Sequence, residues 1–299
     1  MERYSIDLFL DSGAFSAYMG GGAIDIDEYI SFVKENIDSI GVYANLDVLG
    51  DDQASYDNWV YMRSKGLEPI PVFHASTDVK FLKYYLDKTD YIALGAISKL
   101  STKERILSLD RIWSYYLIDS KGLPKVKVHG FGLTAAGLLV RYPWYSVDST
   151  TWLQMGIYGN IYVPRMIKGE YVYNQAPRAV SVSSIAGHRK TFGAHISTFS
   201  EADKECVLQY IHAKGYSLGK SELKRVELGY ELGDNEKLTG TQYKDGSKEV
   251  EVVIEEGLVN SYKQRCYLCI IFLSDLEKNL PEWPWAFRGS KGLGLELRG

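Results

Sequence analysis

The chain has 299 residues, with 34 Lys and Arg against 38 Asp and Glu, a formal net charge of −4. No global field draws it to a polyanion, so any nucleic-acid contact has to come from a local basic surface. With 45% hydrophobic and 24% charged residues, the composition excludes disordered, collagenous and low-complexity classes. No apolar run approaches the ~20 residues of a bilayer span. Met1-Glu2-Arg3-Tyr4 does not read as a signal peptide, and three cysteines do not make a disulfide framework. A cytoplasmic globular protein is expected.

From the N-terminus, short apolar runs recur, and each ends in a small or polar cluster. Ile6-Asp7-Leu8-Phe9-Leu10 ends at Asp11-Ser12-Gly13, and Gly41-Val42-Tyr43-Ala44-Asn45-Leu46 ends at Asp47. Pro69-Ile70-Pro71-Val72-Phe73 ends at His74, Tyr91-Ile92-Ala93-Leu94 at Gly95, and Val126-Lys127-Val128 at His129-Gly130. Tyr145-Ser146-Val147 ends at Asp148-Ser149-Thr150. Helical patterns lie between them, over Ile26 to Ile37, Ser55 to Lys65, Val79 to Asp87 and Thr102 to Tyr116. Ser101-Thr102-Lys103-Glu104 opens the last with a capping box.

Strand then helix, recurring about every 20 to 35 residues, is the signature of parallel βαβ units. Nearly every strand ends in a candidate functional residue. That favours a (β/α)8 TIM-like barrel over an open doubly wound sheet, which gathers its site at one switch point. Six units are readable through Thr150; Asn160-Ile161-Tyr162-Val163 supplies a seventh strand and Ala179-Val180-Ser181-Val182 an eighth. The expected division is a barrel over residues 1–199, its first unit atypical or incomplete, and a small C-terminal extension of helical or mixed structure over 200–299.

In that extension Ser200 to Lys214 reads as a capped amphipathic helix, followed by a turn at Gly215-Tyr216-Ser217 and a shorter helix from Lys220 to Leu228. The pair is either a helix-turn-helix or two ordinary short helices. Lys220, Lys224 and Arg225 are either a phosphate track or a solvated face, and His188-Arg189-Lys190 is a second basic stretch. Val250 to Ile254 is a candidate edge strand. Cys266-Tyr267-Leu268-Cys269 has metal-like spacing, but within an apolar run it reads as core thiols, and no metal site is expected there.

Gathered at one end of a barrel, Asp11, Asp47, His74, His129 and Asp148 could bind metal, run glycosyl chemistry or recognise a heterocycle. Displacement at an anomeric carbon uses one carboxylate as nucleophile and another as acid/base. Guanine presents two adjacent N–H donors that a carboxylate accepts together. Singly, Asp11 or Asp47 could equally cap a helix. The same residues also allow a metal-dependent hydrolase, with His74, His129, Asp148 and Asp11 as ligands, although the tandem His-x-His usual in such barrels is absent. A non-catalytic nucleic-acid-binding protein is a third alternative.

Leu10-Asp11-Ser12-Gly13-Ala14-Phe15 resembles the Asp-Ser-Gly-Gly-Phe motif of the tRNA-guanine transglycosylases. Leu46-Asp47 resembles their second-strand Leu-Asp, and Ala93-Leu94-Gly95-Ala96 their glycine-containing base-binding strand. Gly130-Phe131-Gly132-Leu133-Thr134 is similar to their Gly-Val-Gly-Thr segment, and Val147-Asp148-Ser149-Thr150 falls where the family has its nucleophilic Asp. The order holds over about the first 150 residues. The wording around His74, His129 and Asp148 resembles most the phage-type paralogues associated with inserting 7-deazaguanines into DNA.

The resemblance implies that Asp148 forms a covalent glycosyl intermediate, that Asp11 is acid/base, and that Asp47 reads the base. His74, Leu94, Gly95, Ser12, Gly13, Phe15 and His129 would complete the base pocket, and Lys220, Lys224 and Arg225 would hold the polymer. It implies a DNA or tRNA substrate, a free 7-deazaguanine base such as preQ0 or a derivative, and no cofactor. The tRNA enzymes carry a Cys-rich zinc site with a distant His; this chain has only Cys206, Cys266 and Cys269, which shifts the expectation from tRNA toward DNA.

Overall fold

The structure, a computed structural model, describes residues 8–74, 78–95, 101–133, 135–173, 175–185 and 193–289. Ile6, Asp7, Ala96, Thr134 and the stretch His188-Arg189-Lys190 lie outside the described residues. The fold is mixed α/β with parallel strand pairing. Two compact units divide the chain: one runs to Ser149 and includes the segment from Pro281, and the other is Thr150–Leu280. The expected boundary at residues 199/200 thus lies inside the second unit. Among the described residues, no helix is long and apolar enough to cross a membrane.

In the first unit, strands and helices alternate: β1 (Phe9–Leu10), α1 (Ala14–Met19), α2 (Ile26–Glu35), β2 (Val42–Tyr43), α3 (Asp52–Ser64), β3 (Val72–His74), α4 (Val79–Leu86), β4 (Tyr91–Gly95), α5 (Thr102–Ile112), β5 (Lys127–Gly130), α6 (Ala136–Arg141) and β6 (Ser146–Val147). The starts of α2 to α5 follow from their caps. The side chains of Asp25, Asp51 and Asp78 accept backbone N–H bonds from the first turns of α2, α3 and α4. Ser101 and Glu104 close the expected capping box on α5.

β1 pairs with β2, and β3, β4, β5 and β6 pair in chain order, all parallel. A parallel bridge between Ala44 and Ile70 joins the two sets. Where that ladder is thin, the Asn45 side chain takes over: its Oδ1 accepts from Val72 N at 2.8 Å and its Nδ2 donates to Ser55 O at 3.0 Å. In a flat sheet β1 and β5 would lie four spacings apart, about 19 Å. Yet the Phe9 ring stacks on His129 at 4.1 Å and meets Phe131 edge-on at 5.9 Å. The sheet therefore curls until β1 faces β5, around an inner cluster of Ala44, Ile70, Val72 and Ala93 that Phe9 and Phe131 cover. A second cluster packs Tyr29, Ile30 and Val33 of α2 and Met62 of α3 against Tyr43 and Leu46.

The Trp-rich tail belongs to this unit. Phe287 stacks on Tyr142 at 5.3 Å, its N–H donates to Gly122 O at 2.8 Å, and Trp283 Nε1 donates to Pro143 O at 3.2 Å.

The second unit contains α7 (Thr151–Ile157), β7 (Asn160–Val163), β8 (Arg165–Ile167), β9 (Glu170–Val172), β10 (Arg178–Ser181), α8 (Glu201–Ala213), β11 (Lys220–Val226), β12 (Glu236–Gln242), β13 (Lys248–Glu255) and α9 (Tyr262–Lys278). β7 and β10, the expected seventh and eighth strands, pair antiparallel. The hairpin β8–β9 intervenes, turning through Lys168 and Gly169 at φ 53° and 84°, and sends the chain back. The helix from Ser200 forms with Ser200 as its cap. The expected helix from Lys220 does not form: that segment is β11, an outer strand of an antiparallel sheet ordered β11-β13-β12. Val250 to Ile254 lies in β13, the central strand rather than an edge.

Consecutive residues of a strand face opposite ways, so Lys224 and Arg225 cannot form one track. Lys224 is bonded to Glu236 and to Tyr230 Oη at 2.6 Å, Arg225 to Asp245 and to Ser247 Oγ at 2.5 Å, and Lys220 lies 3.8 Å from Glu222. Cys266 and Cys269 are buried on α9, and burial pushes the Cys269 thiol up to about 12. They are core thiols, as their apolar setting implies.

Helices α7 and α9 approach closely because Gly156 has no side chain. A Cβ there would meet Cys266 Sγ and lie 2.8 Å from the Cys266 backbone N. Intrinsic helix propensity alone favours Ala over Gly by about 1 kcal/mol; overpacking costs about 1–3 kcal/mol. We expect Gly156→Ala to lower the midpoint of thermal or urea unfolding, and a higher midpoint would show that the helices part freely.

Candidate active site

The sequence-predicted cluster assembles in the first unit, at the C-terminal ends of parallel strands. Asp11 follows β1, Asp47 follows β2, His74 and Gly95 end β3 and β4, His129 lies in β5, and Asp148 follows β6. None of the three carboxylates is spent as a helix cap. α1 starts at Gly13 without a side-chain cap, α3 is capped by Asp51, and α7 starts at Thr150 without one.

Asp11 is open to solvent, yet its carboxyl is held above the ordinary carboxylate range. Desolvation by the surrounding strand ends is the largest cause, followed by the negative charges of Asp47 and then Asp148. The backbone N–H groups of Gly13 and Ser12 bond to it and pull the other way, without prevailing. Those two N–H groups are thus directed at Asp11. Gly13 adopts φ 75°, the left-handed region that glycine enters without strain.

Asp47 is the enclosed carboxylate. Its Oδ1 accepts from Ser12 Oγ at 3.1 Å and its Oδ2 from His74 Nε2 at 2.8 Å, and its side chain is 13% exposed. The other face of His74 looks onto Asp52, with Nδ1 3.9 Å from Oδ1. The loop carrying Asp47 is pinned from α3, where Ser55 Oγ accepts from Val48 N at 2.8 Å and Asn58 Nδ2 donates to Leu46 O at 2.9 Å. A Cβ on Gly95 would lie 2.9 Å from His74 Cδ2, so glycine there makes room for the imidazole beside Asp47.

Asp148 is the open carboxylate, 47% exposed. Its Oδ1 accepts from Gly132 N at 3.0 Å, and its backbone O accepts from Leu133 N at 2.8 Å. Phe15 is 49% exposed on α1. Leu94 is fully buried and its carbonyl accepts from Phe131 N at 3.0 Å, so its side chain is directed into the core. His129 is 2% exposed beneath Phe9 and beside Phe131. It forms the wall behind Asp148, with Nε2 3.4 Å from that carboxylate.

Asn45, Ser55, Asn58, Asp52, Tyr91 and Ser146 were not singled out as site residues by sequence reasoning. Ser146 had a signal, since it stands two residues before Asp148 and shares its face of the strand. The others are supports whose partners are set by tertiary packing. Among the described residues, no group of three or more His, Cys, Asp or Glu side chains is placed to hold one metal ion. No family model matches the chain, and no curated protein and no solved structure matches it.

Because folding raises the pKa of Asp11, the native state holds that proton more tightly than the unfolded chain does. Stability attributable to this group is greatest when it is protonated in both states and falls as pH rises through the raised value. Asp11→Asn removes the unfavourable charge and retains an oxygen for the two N–H donors. The variant is expected to unfold at a higher temperature than the wild type at pH 7, with the difference vanishing below the ordinary carboxylate range. Equal midpoints across the pH series would show that the crowding is already relieved.

Proposed function

We propose that the first unit belongs to a (β/α) barrel and that the protein is a transglycosylase exchanging guanine in a nucleic acid, DNA rather than tRNA, for a 7-deazaguanine base. The observation that carries the reading is the position of Asp11 in the field of both Asp47 and Asp148, with no helix cap to explain any of the three. Support for the barrel comes from six parallel strands in chain order that curl until Phe9 touches His129. Support for the substrate comes from the ordered motif resemblance. The core location of Cys266 and Cys269 favours DNA, because the zinc-bearing tRNA enzymes use cysteines as ligands.

In this reading a carboxylate oxygen of Asp148 attacks C1′, the bond from C1′ to the guanine nitrogen breaks, and the departing base takes the proton of Asp11. The glycosyl ester holds the sugar while bases exchange. Asp11, now a carboxylate, removes the ring N–H proton of the incoming base. That nitrogen attacks C1′, the ester bond breaks, and Asp148 is restored. A raised pKa suits a group that both gives and takes a proton. Asp47, fixed by Ser12 and His74, has lone pairs left to accept from the guanine donor edge. A base in a duplex must first be unpaired or flipped out.

The test mixes the wild type with labelled guanine or 7-deazaguanine and with duplex DNA, single-stranded DNA or tRNA. Label is expected in DNA, and a denaturing gel is expected to show a covalent protein–polymer band that excess free base removes. Asp148→Asn should bind polymer without forming the band. Asp11→Asn should slow its formation by about a hundred- to ten-thousand-fold. Full exchange by Asp148→Asn, or activity that a chelator abolishes, would overturn the mechanism.

A further inference from the structure

His129 is a buried histidine with one ring nitrogen committed and the other turned to Asp148. Phe9 stacks on it at 4.1 Å with 15° between the planes, and Phe131 meets it edge-on at 4.6 Å, so the ring cannot turn. Nδ1 is 2.7 Å from Ser146 Oγ, which is 2.7 Å from Tyr91 Oη. Nε2 is buried and, among the described residues, has no hydrogen-bond partner of good geometry; Asp148 Oδ1 lies 3.4 Å away.

The proton order along this chain follows from its chemistry. A phenol is the stronger donor and an imidazole nitrogen the stronger acceptor; with Tyr91 donating to Ser146, the single Ser146 hydroxyl proton goes to Nδ1. The His129 proton then sits on Nε2, facing the carboxylate. A buried N–H without an acceptor is costly, and Asp148 is exposed enough to pivot the few tenths of an ångström that close the bond. Oδ1 would then be held by both Gly132 N–H and His129 Nε2–H. Among the described residues, Oδ2 carries no hydrogen bond.

We infer that His129, fixed by Ser146 and Tyr91, is a positioning residue that anchors Oδ1 of Asp148 and leaves Oδ2 as the oxygen that bonds to C1′. The inference rests on the reading of Asp148 as nucleophile. During the reaction Oδ2 forms the ester bond, Oδ1 becomes the ester carbonyl oxygen, and both donors stay on it. His129 keeps its proton from start to finish, so it stabilises one rotamer of the carboxylate without exchanging charge with it.

The first measurement is ¹⁵N NMR of the histidines in the full-length protein, which reads the tautomer without any substrate. For His129 it should show a protonated Nε2 and an acceptor-type Nδ1, and Asp148→Ala should shift Nε2. A proton on Nδ1, or an Nε2 indifferent to Asp148→Ala, overturns the inference whether or not the protein is a transglycosylase. The second measurement is the single-turnover rate of covalent-band formation. His129→Leu keeps the bulk but removes the donor and should slow the band about ten- to a hundred-fold, with polymer affinity unchanged. His129→Gln, which returns an N–H near the Nε2 position, should recover most of the rate. A His129→Leu enzyme as fast as wild type overturns the inference while leaving the functional reading intact. A wild type that forms no band with any polymer defeats the functional reading, and with it the role in ester formation. Should His129→Leu fail to fold, Ser146→Ala takes its place: the released tautomer should move the Nε2 resonance and slow the band, and no change in either would count against the anchor.

Discussion

The stack of Phe9 on His129 is the contact on which the site depends. It brings the first strand against the fifth, an approach that small residues permit: Ala44 and Ala93 belong to the cluster that Phe9 and Phe131 cover. Side chains alternate along a strand, so the geometry that turns Phe9 inward also turns Asp11 inward two residues later. The same alternation on β6 sends Ser146 and Asp148 to the interior, next to the His129 of β5. The parallel pairings and this aromatic contact together place at one end of the strands carboxylates more than 130 residues apart in the chain.

Convergence has an electrostatic cost, since three like charges face one another where water is partly excluded. The fold offsets it unequally. Asp47 receives a hydroxyl and an imidazole and is nearly closed to solvent. Asp148 receives a backbone N–H and stays open. Asp11 receives two backbone N–H groups and still carries the raised pKa. Unequal support sorts the carboxylates by chemistry. The enclosed one is suited to hold and orient, the open one to meet an incoming atom, and the crowded one to carry a proton.

Much of the first unit was legible because local signals agreed. Apolar runs ended in polar clusters, and each of α2 to α5 began at an Asp or Ser cap in the sequence. Beyond Ser149 the signals conflicted. Lys220 to Leu228 has helix-forming residues and apolar positions at Leu223 and Val226, but pairing with β13 overrides that preference and makes it a strand. The β7 and β10 segments read correctly as strands, while their antiparallel pairing depended on a hairpin at Lys168-Gly169 that no apolar rhythm announces. At the site, strand-end residues could be named from position alone. Whether an imidazole touches a ligand or backs a carboxylate is decided by what covers it, and the rings over His129 come from β1 and the β5 end.

A polyanionic substrate makes a demand that a net charge of −4 does not meet at long range. The β11 cations do not meet it as a group either, for Lys224 and Arg225 point to opposite faces and each holds a carboxylate. The Arg225–Asp245 pair is exposed on both sides, and such pairs are weak and exchange partners readily, so a phosphate could displace Asp245, whereas Glu236 is held in a largely covered pair with Lys224. With long-range attraction small, recognition in the proposed reaction falls to short-range contacts: hydrogen bonds that a base edge donates to Asp47 and the fit of C1′ against Asp148. Such contacts discriminate between bases, and they act only once the base has left its stack. In the proposed reaction, selectivity is therefore settled at the extruded nucleotide rather than along the polymer.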